Sequence, residues 1–176
     1  PSEQFLLGTN HLGKDVFKQT VWGARNSLMV GFGTSILSTI VALLIGMTAG
    51  YFRGKVDDVL SLLMNLFLVI PGLPLLIVLS GYLKPGTTTV IFVLTVTGWA
   101  FAARIMRSQT LMLREKDFVA AAKVSGENNF RIIFSEILPN MTSIIAGMVI
   151  NGVSYGIGAA TALSFLGLTD ISEVTW

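Results

Sequence analysis

The sequence predicts an all-α, polytopic membrane protein, and three observations carry that prediction. Only 12% of the 176 residues are charged while 52% are apolar, where a water-soluble domain usually carries about 25% charged residues. Mean hydropathy is +0.72. Four stretches hold no charge at all: between Arg25 and Arg53, Asp58 and Lys84, Lys84 and Arg104, and Glu136 and Asp170. None alternates in the manner of a barrel strand, and lipid leaves only helices or closed barrels able to satisfy the backbone.

A hydrocarbon core of about 30 Å takes roughly 20 helical residues to cross. Spans are therefore expected at about 27–52, 59–83, 87–103 and 140–168, with a mixed polar segment, 1–26, leading into the first. That segment lacks the order of a signal peptide. The chain opens on Pro1 and stops soon after an apolar run, so it is expected to be a piece of a longer subunit.

The links set the topology. The first, from Phe52 to Asp58, is short and broken by Gly54; its Asp57 and Asp58 open a helix, where negative charge suits the dipole. The second, Lys84-Pro85-Gly86, reads as a turn. The third, residues 104–139, is long and charged. The first and third must share a side, which gathers eight of the twelve basic residues there and leaves Lys14, Lys18, Arg25 and Lys84 on the other. The positive-inside rule then makes 104–139 cytoplasmic and the N-terminal segment external.

Within the spans, Pro71 and Pro74 each remove an amide donor, so the second helix should kink or unwind there, as a static bend or as a hinge beside a pathway. Gly46 with Gly50, and Gly152 with Gly156, place small residues on one helical face, better suited to intramolecular packing than to a dedicated dimer seam. Asn65 and Asn151 are the costliest polar groups to bury, with Thr34, Ser35, Ser38, Thr39, Thr95, Thr97 and Ser154 around them. Interhelical hydrogen bonding is the first reading of such groups, and lining a pathway the second.

Catalytic chemistry is missing. Gly8-x-x-x-x-Gly13-Lys14-Asp15 falls one residue short of a phosphate-binding loop, but Asp15 would set a carboxylate against phosphate and no buried strand precedes the glycines. With one histidine, His11, and no cysteine, a metal site lacks its usual ligands. Asn140-Met141-Thr142 fits a glycosylation acceptor but falls at the cytoplasmic edge. The net charge of +2 makes nucleic acid a poor partner.

The third link is the most specific part. Val119 to Val124 is an alanine-rich helix stopped by Gly126, a second short amphipathic helix runs to Leu138, and Pro139 can open the next span. Such an elbow would lie on the membrane and present a small-residue face to a cytosolic partner. Ala121, Ala122, Gly126, Leu138 and Pro139 fall on the hallmark spacing of the permease subunits of binding-protein-dependent ABC importers, Glu-Ala-Ala, three residues, Gly, nine residues, Ile, one residue, Leu-Pro. Ala120 stands in place of Glu, and Glu136 in place of Ile. AAKVSG and RIIFSEILPN resemble the peptide and nickel branch, as do LGTNHLGKDVFKQTVWGARNSL and LSFLGL at 163–168.

This resemblance implies a type I importer transmembrane core of the MetI-like kind, with a first and a sixth span outside this chain. It implies half of an alternating-access pore in a cell inner membrane, for short peptides delivered by an external solute-binding protein, with nickel or oligosaccharides as alternative substrates. The implied partners are a second, distinct permease subunit and two cytosolic ATPases that hold ATP and Mg, so this chain would bind no cofactor and not be an enzyme. Ala121, Ala122, Lys123, Gly126, Leu138 and Pro139 would couple to the ATPases, while Asn65, Pro71, Pro74 and Asn151 would line the pathway or hinge. A secondary transporter or channel, or a non-transporting scaffold, would have no use for the Gly126 to Pro139 spacing.

Overall fold

A computed structural model describes residues 5–10, 13–70, 72–83 and 86–165. The elements are α1 (Val16–Phe52), α2 (Gly54–Val69), α3 (Gly72–Tyr82), α4 (Thr87–Leu113), α5 (Asp117–Val124), α6 (Asn129–Arg131), a π turn (Ile132–Ile137), a 3₁₀ turn (Leu138–Met141) and α7 (Thr142–Phe165). Three helical runs among the described residues are long and apolar enough to cross a membrane: Val16–Phe52, Thr87–Leu113 and Asn129–Phe165. Pro71, His11, Lys84, Pro85 and the end of the 140–168 stretch lie outside the described residues.

Each span departs from its expected bounds for a local reason. Helix α1 starts at Val16, not near 27, because the Asp15 carboxylate accepts the Phe17 and Lys18 amides and caps the helix there. The 59–83 stretch is two helices, of 16 and 11 residues. Each is too short to cross alone, at about 1.5 Å per residue. Ile70 adopts an extended conformation (φ −68°, ψ 124°), as a residue before proline prefers. Pro74 falls in the first turn of α3, where the absent amide had no partner to lose.

Helix α4 runs to Leu113, so Arg104 and Arg107 belong to it and not to the elbow. Both find partners on α2, which lets the helix continue past the charges. Pro139 does not open a new helix either. It sits inside the run from Asn129 to Phe165, and the turns around it widen and then tighten. The Leu138 amide reaches back five residues to the Ile133 carbonyl, and the Asn140 side chain donates through Nδ2 to the Glu136 carbonyl at 2.7 Å. Such irregular turns absorb a proline without ending the helix.

Helix α1 is the central element, packed against α4 and α7. A Cβ on Gly46 would collide with the Ala103 carbonyl, and one on Gly50 would stand 2.7 Å from that of Arg107, so α1 and α4 run parallel in backbone contact. Helix α7 runs the other way: a Cβ on Gly156 would lie 3.1 Å from Gly31 Cα, and one on Gly152 would lie 2.5 Å from Ser35 Oγ. Both glycine pairs thus serve intramolecular packing. Around them lie three buried clusters, centred on Val93 and Leu94, on Trp99 and Ala100, and, under the elbow, on Met106, Ile132 and Ile137. Large apolar side chains such as Leu44, Leu62, Phe92, Phe101 and Ile150 face outward, the surface expected where lipid is the solvent.

Candidate functional site

The elbow is rigid by construction. Helix α5 ends in a residue with φ +81°, Gly126, whose amide donates to the Lys123 carbonyl at 3.1 Å while the Glu127 amide donates to that of Ala122 at 3.1 Å. This double closure requires a left-handed residue. A Cβ at Gly126 would meet nothing within 4 Å, so backbone conformation and not space selects glycine. Asn128 caps the next turn, its side chain accepting the Arg131 amide at 2.8 Å.

The helix presents two faces. Val119 is buried, Phe118 and Ala122 are half-buried against the cluster under the elbow, and Ala120, Ala121 and Gly126 are exposed beside Val124, which is 91% exposed. Ala122 therefore packs inward and belongs to the elbow's seat more than to its outer face. Leu138 packs on the same cluster as an anchor, and Pro139 is exposed. Lys123 is exposed, and its ammonium reaches to 5.7 Å from the centre of the Tyr51 ring.

Tyr51, which sequence reasoning passed over, sits at the centre of this seat. It is 5% exposed, and its hydroxyl donates to Asn129 Oδ1 at 2.9 Å. Arg114 donates to the Tyr51 carbonyl at 2.6 Å and holds its guanidinium 5.8 Å from the ring centre. Beside it Arg53 takes a left-handed φ of +55° and pairs with Glu115 at 2.5 Å. The first link and the elbow therefore share one end of the molecule, as the link count requires.

A polar ladder ties α2 to α4 at the same end. Arg107 binds Asp57 through Nε and Nη2 at 2.5 and 2.6 Å, Ser61 donates to Asp57 at 2.9 Å, and Arg104 donates to Asn65 at 2.6 Å. Asp57 is thus an ion-pair partner and not simply a dipole complement, and Asn65 is bound to α4 without lining the cavity described next. The signal for this was present: Asp57, Ser61 and Asn65 recur every four residues, one stripe of a helix.

Between α1, α2, α4 and α7 lies a cavity of about 490 Å³, with Ser38, Thr97, Gly98, Asn151 and Tyr155 among its walls and no charged residue among those that line it. Among the described residues, Asn151 is the one of Asn65, Pro74 and Asn151 that reaches it. Most span hydroxyls bond the carbonyl one turn back, as Thr95, Thr97, Thr110 and Thr161 do. Thr34 Oγ1 and Ser38 Oγ, one turn apart on α1, are buried without a partner.

The near-phosphate loop has a structural role instead. Gly8 and Gly13 take positive φ, Thr9 bridges Asp15, Asn10 accepts the Lys14 amide at 3.0 Å, and Asp15 caps α1. No group of three metal-ligating side chains occurs among the described residues.

Residues 42–172 match the family model described as the binding-protein-dependent transport system inner membrane component. The dipeptide transport system permease protein of Bacillus subtilis is 40% identical over 169 residues, covering 96% of this chain and 52% of that protein. The oligopeptide transport system permease protein of the same organism is 34% identical, with 96% of this chain and 55% of that protein covered. The chain spans little more than half the length of these relatives. A chain of the inward-facing MetNI methionine ABC transporter superposes with a TM-score of 0.75 at 19% identity, covering 85% of this chain and 75% of that one, a likeness of fold.

Proposed function

The chain belongs to the family of inner membrane components of binding-protein-dependent transport systems, and we propose from that premise that it forms the transmembrane core of a permease subunit in an ATP-driven importer of short peptides. The observation that carries this reading is the elbow: a closed, rigid two-helix unit with an exposed face of Ala120, Ala121 and Val124, seated on the ends of α1 and α4. Small exposed side chains let a partner's groove approach the helix closely, and the rigid closure lets a push on α5 act as a displacement of the spans.

In this reading the elbow is cytoplasmic, the Gly8 to Asp15 loop external, and two ATPase subunits hold ATP and Mg beneath the elbows of this chain and a second, distinct permease. A solute-binding protein delivers substrate at the external end. Peptides are favoured over nickel by the cavity's chemistry, since apolar side chains such as Leu68, Ile105 and Met148 line it with hydroxyls and the Asn151 carboxamide, and among the described residues no carboxylate or imidazole does; divalent metals call for such ligands. The relatives named for dipeptide and oligopeptide transport support the same choice.

The test is reconstitution of the permease pair, ATPases and binding protein in liposomes, with uptake of radiolabelled Ala-Ala followed with and without ATP. Vanadate-sensitive uptake that needs the binding protein is expected. Uptake that proceeds without ATP, or failure of the ATPases to co-purify, would remove the reading in favour of a secondary carrier or scaffold.

A further inference from the structure

Most of what holds the elbow to the spans is apolar packing of Val119, Ile132, Ile133 and Ile137 on Met47 and Met106. Such burial is non-directional in its driving force, so small shifts of the elbow along or around α1 are resisted by packing and not by any preferred angle. Directional contacts add a preferred distance and angle to that placement. Among the described residues, apart from a bond from the Thr110 hydroxyl to the Met141 sulfur at 3.7 Å and the exposed Arg53–Glu115 pair between the first link and the start of the elbow, the polar contacts from the elbow to the spans converge on one residue. Asn129 at the start of α6 takes the Tyr51 hydroxyl, and Lys123 in the last turn of α5 stands over the Tyr51 ring. From the span side, Arg114 at the end of α4 holds the Tyr51 carbonyl and approaches the ring.

We propose that Tyr51 is a positioning residue for coupling: the pivot that sets the elbow's register on α1 and passes displacement of α5 and α6 into α1 and α4. The inference rests on the permease reading above. Its geometry separates two contributions. The ring gives the Lys123 and Arg114 cations a buried π face, and the hydroxyl ties the second elbow helix. The neighbouring Arg53, at φ +55° and paired with Glu115, holds the turn after Tyr51 against the end of α4, so the pivot is fixed from below as well.

The experiment uses the full importer in liposomes and reads Ala-Ala taken up per ATP hydrolysed. Tyr51→Phe keeps the ring and loses the Asn129 bond, and a drop of about fivefold is expected, the ratio to which one hydrogen bond corresponds. Tyr51→Leu removes both contributions and should fall further, while Lys123→Met should resemble Tyr51→Phe, all with ATP hydrolysis retained. A native ratio in both Tyr51→Phe and Lys123→Met overturns the proposal, and these two variants decide it should Tyr51→Leu not assemble. If the native complex hydrolyses ATP but takes up no Ala-Ala, the substrate reading fails on its own. Tyr51 is then judged by spin-label distances between Arg131→Cys, exposed on α6 and off the small-residue face of α5, and Lys55→Cys in this cysteine-free chain. A distribution that ATP broadens in Tyr51→Phe and not in the native background supports the pivot, and identical distributions overturn it.

Discussion

Arg107 grips Asp57 with two parallel bonds, Nε to Oδ1 at 2.5 Å and Nη2 to Oδ2 at 2.6 Å, across the contact between α4 and α2. The pair is mostly enclosed, with the Asp57 side chain 14% exposed. Helix α2 has a single buried residue among those described, Met64, so this fork and the Arg104 to Asn65 bond below it are its main directional attachments to the bundle.

With side chains 30% and 14% exposed, the pair lies between the surface and buried limits, so removing one partner strands the other charge at about 1–3 kcal/mol. Arg107→Met is therefore expected to lower the thermal midpoint of the detergent-solubilised permease more than the double change Arg107→Met with Asp57→Leu. Melting curves that rank the double variant as the less stable would contradict this account of how α2 is held.

Gly46 separates packing from propensity. A methyl there meets the Ala103 carbonyl, whereas one on Gly147 of α7 meets nothing within 4 Å. Gly46→Ala should cost about 1–3 kcal/mol by overpacking, and Gly147→Ala should be neutral or stabilising by up to about 1 kcal/mol. Folded yield in the membrane and thermal midpoints of the two variants check the contrast.

Gly126 is selected by its φ of +81° and not by crowding. Gly126→Val should strain the closure of α5 by about 1–2 kcal/mol, leave the complex in the membrane, and uncouple hydrolysis from uptake. Gly126→Asn, which tolerates left-handed backbone, should keep most of the coupling. Parallel assays of binding-protein-stimulated ATP hydrolysis and Ala-Ala uptake would expose a wild-type Gly126→Val, the result that defeats the prediction.

Gly98 stands on the cavity wall, where a Cβ would lie 3.4 Å from Tyr155 Cε1 and 3.8 Å from Ser38 Oγ. Gly98→Leu should fill part of the 490 Å³ space and reduce uptake while the ATPases still co-purify. Unchanged transport by a stably assembled Gly98→Leu complex would mean that substrate passes elsewhere.

Sequence alone determined the solvent, the helical class and where the first helix of the elbow stops. Charge-free runs of about 20 residues that do not alternate favour helices in lipid, so three of the four expected spans followed from composition, while the 59–83 run became two shorter helices. The stop at Gly126 followed from its freedom to take positive φ, and the break near Pro71 from the missing amide. Glycine pairs at 46 and 50 and at 152 and 156 told which faces would meet a neighbour.

Tertiary structure decided the partners. Arg104 and Arg107 looked like the start of a charged loop because their free energy in a helix depends on groups some 40 to 50 residues away, Asn65 and Asp57, which no local pattern pairs with them. The half-burial of Ala122 and the reach of Lys123 to the Tyr51 ring depend on which side of α5 meets the bundle. Tyr51 is the clearest case: in sequence it is one aromatic at the end of an apolar run, and its role arises only when α1, α4, α5 and α6 end at one point. Local propensity acts through neighbours in the chain, whereas hydrogen bonds, ion pairs and cation–π contacts act through neighbours in space, and that difference separates the two kinds of result.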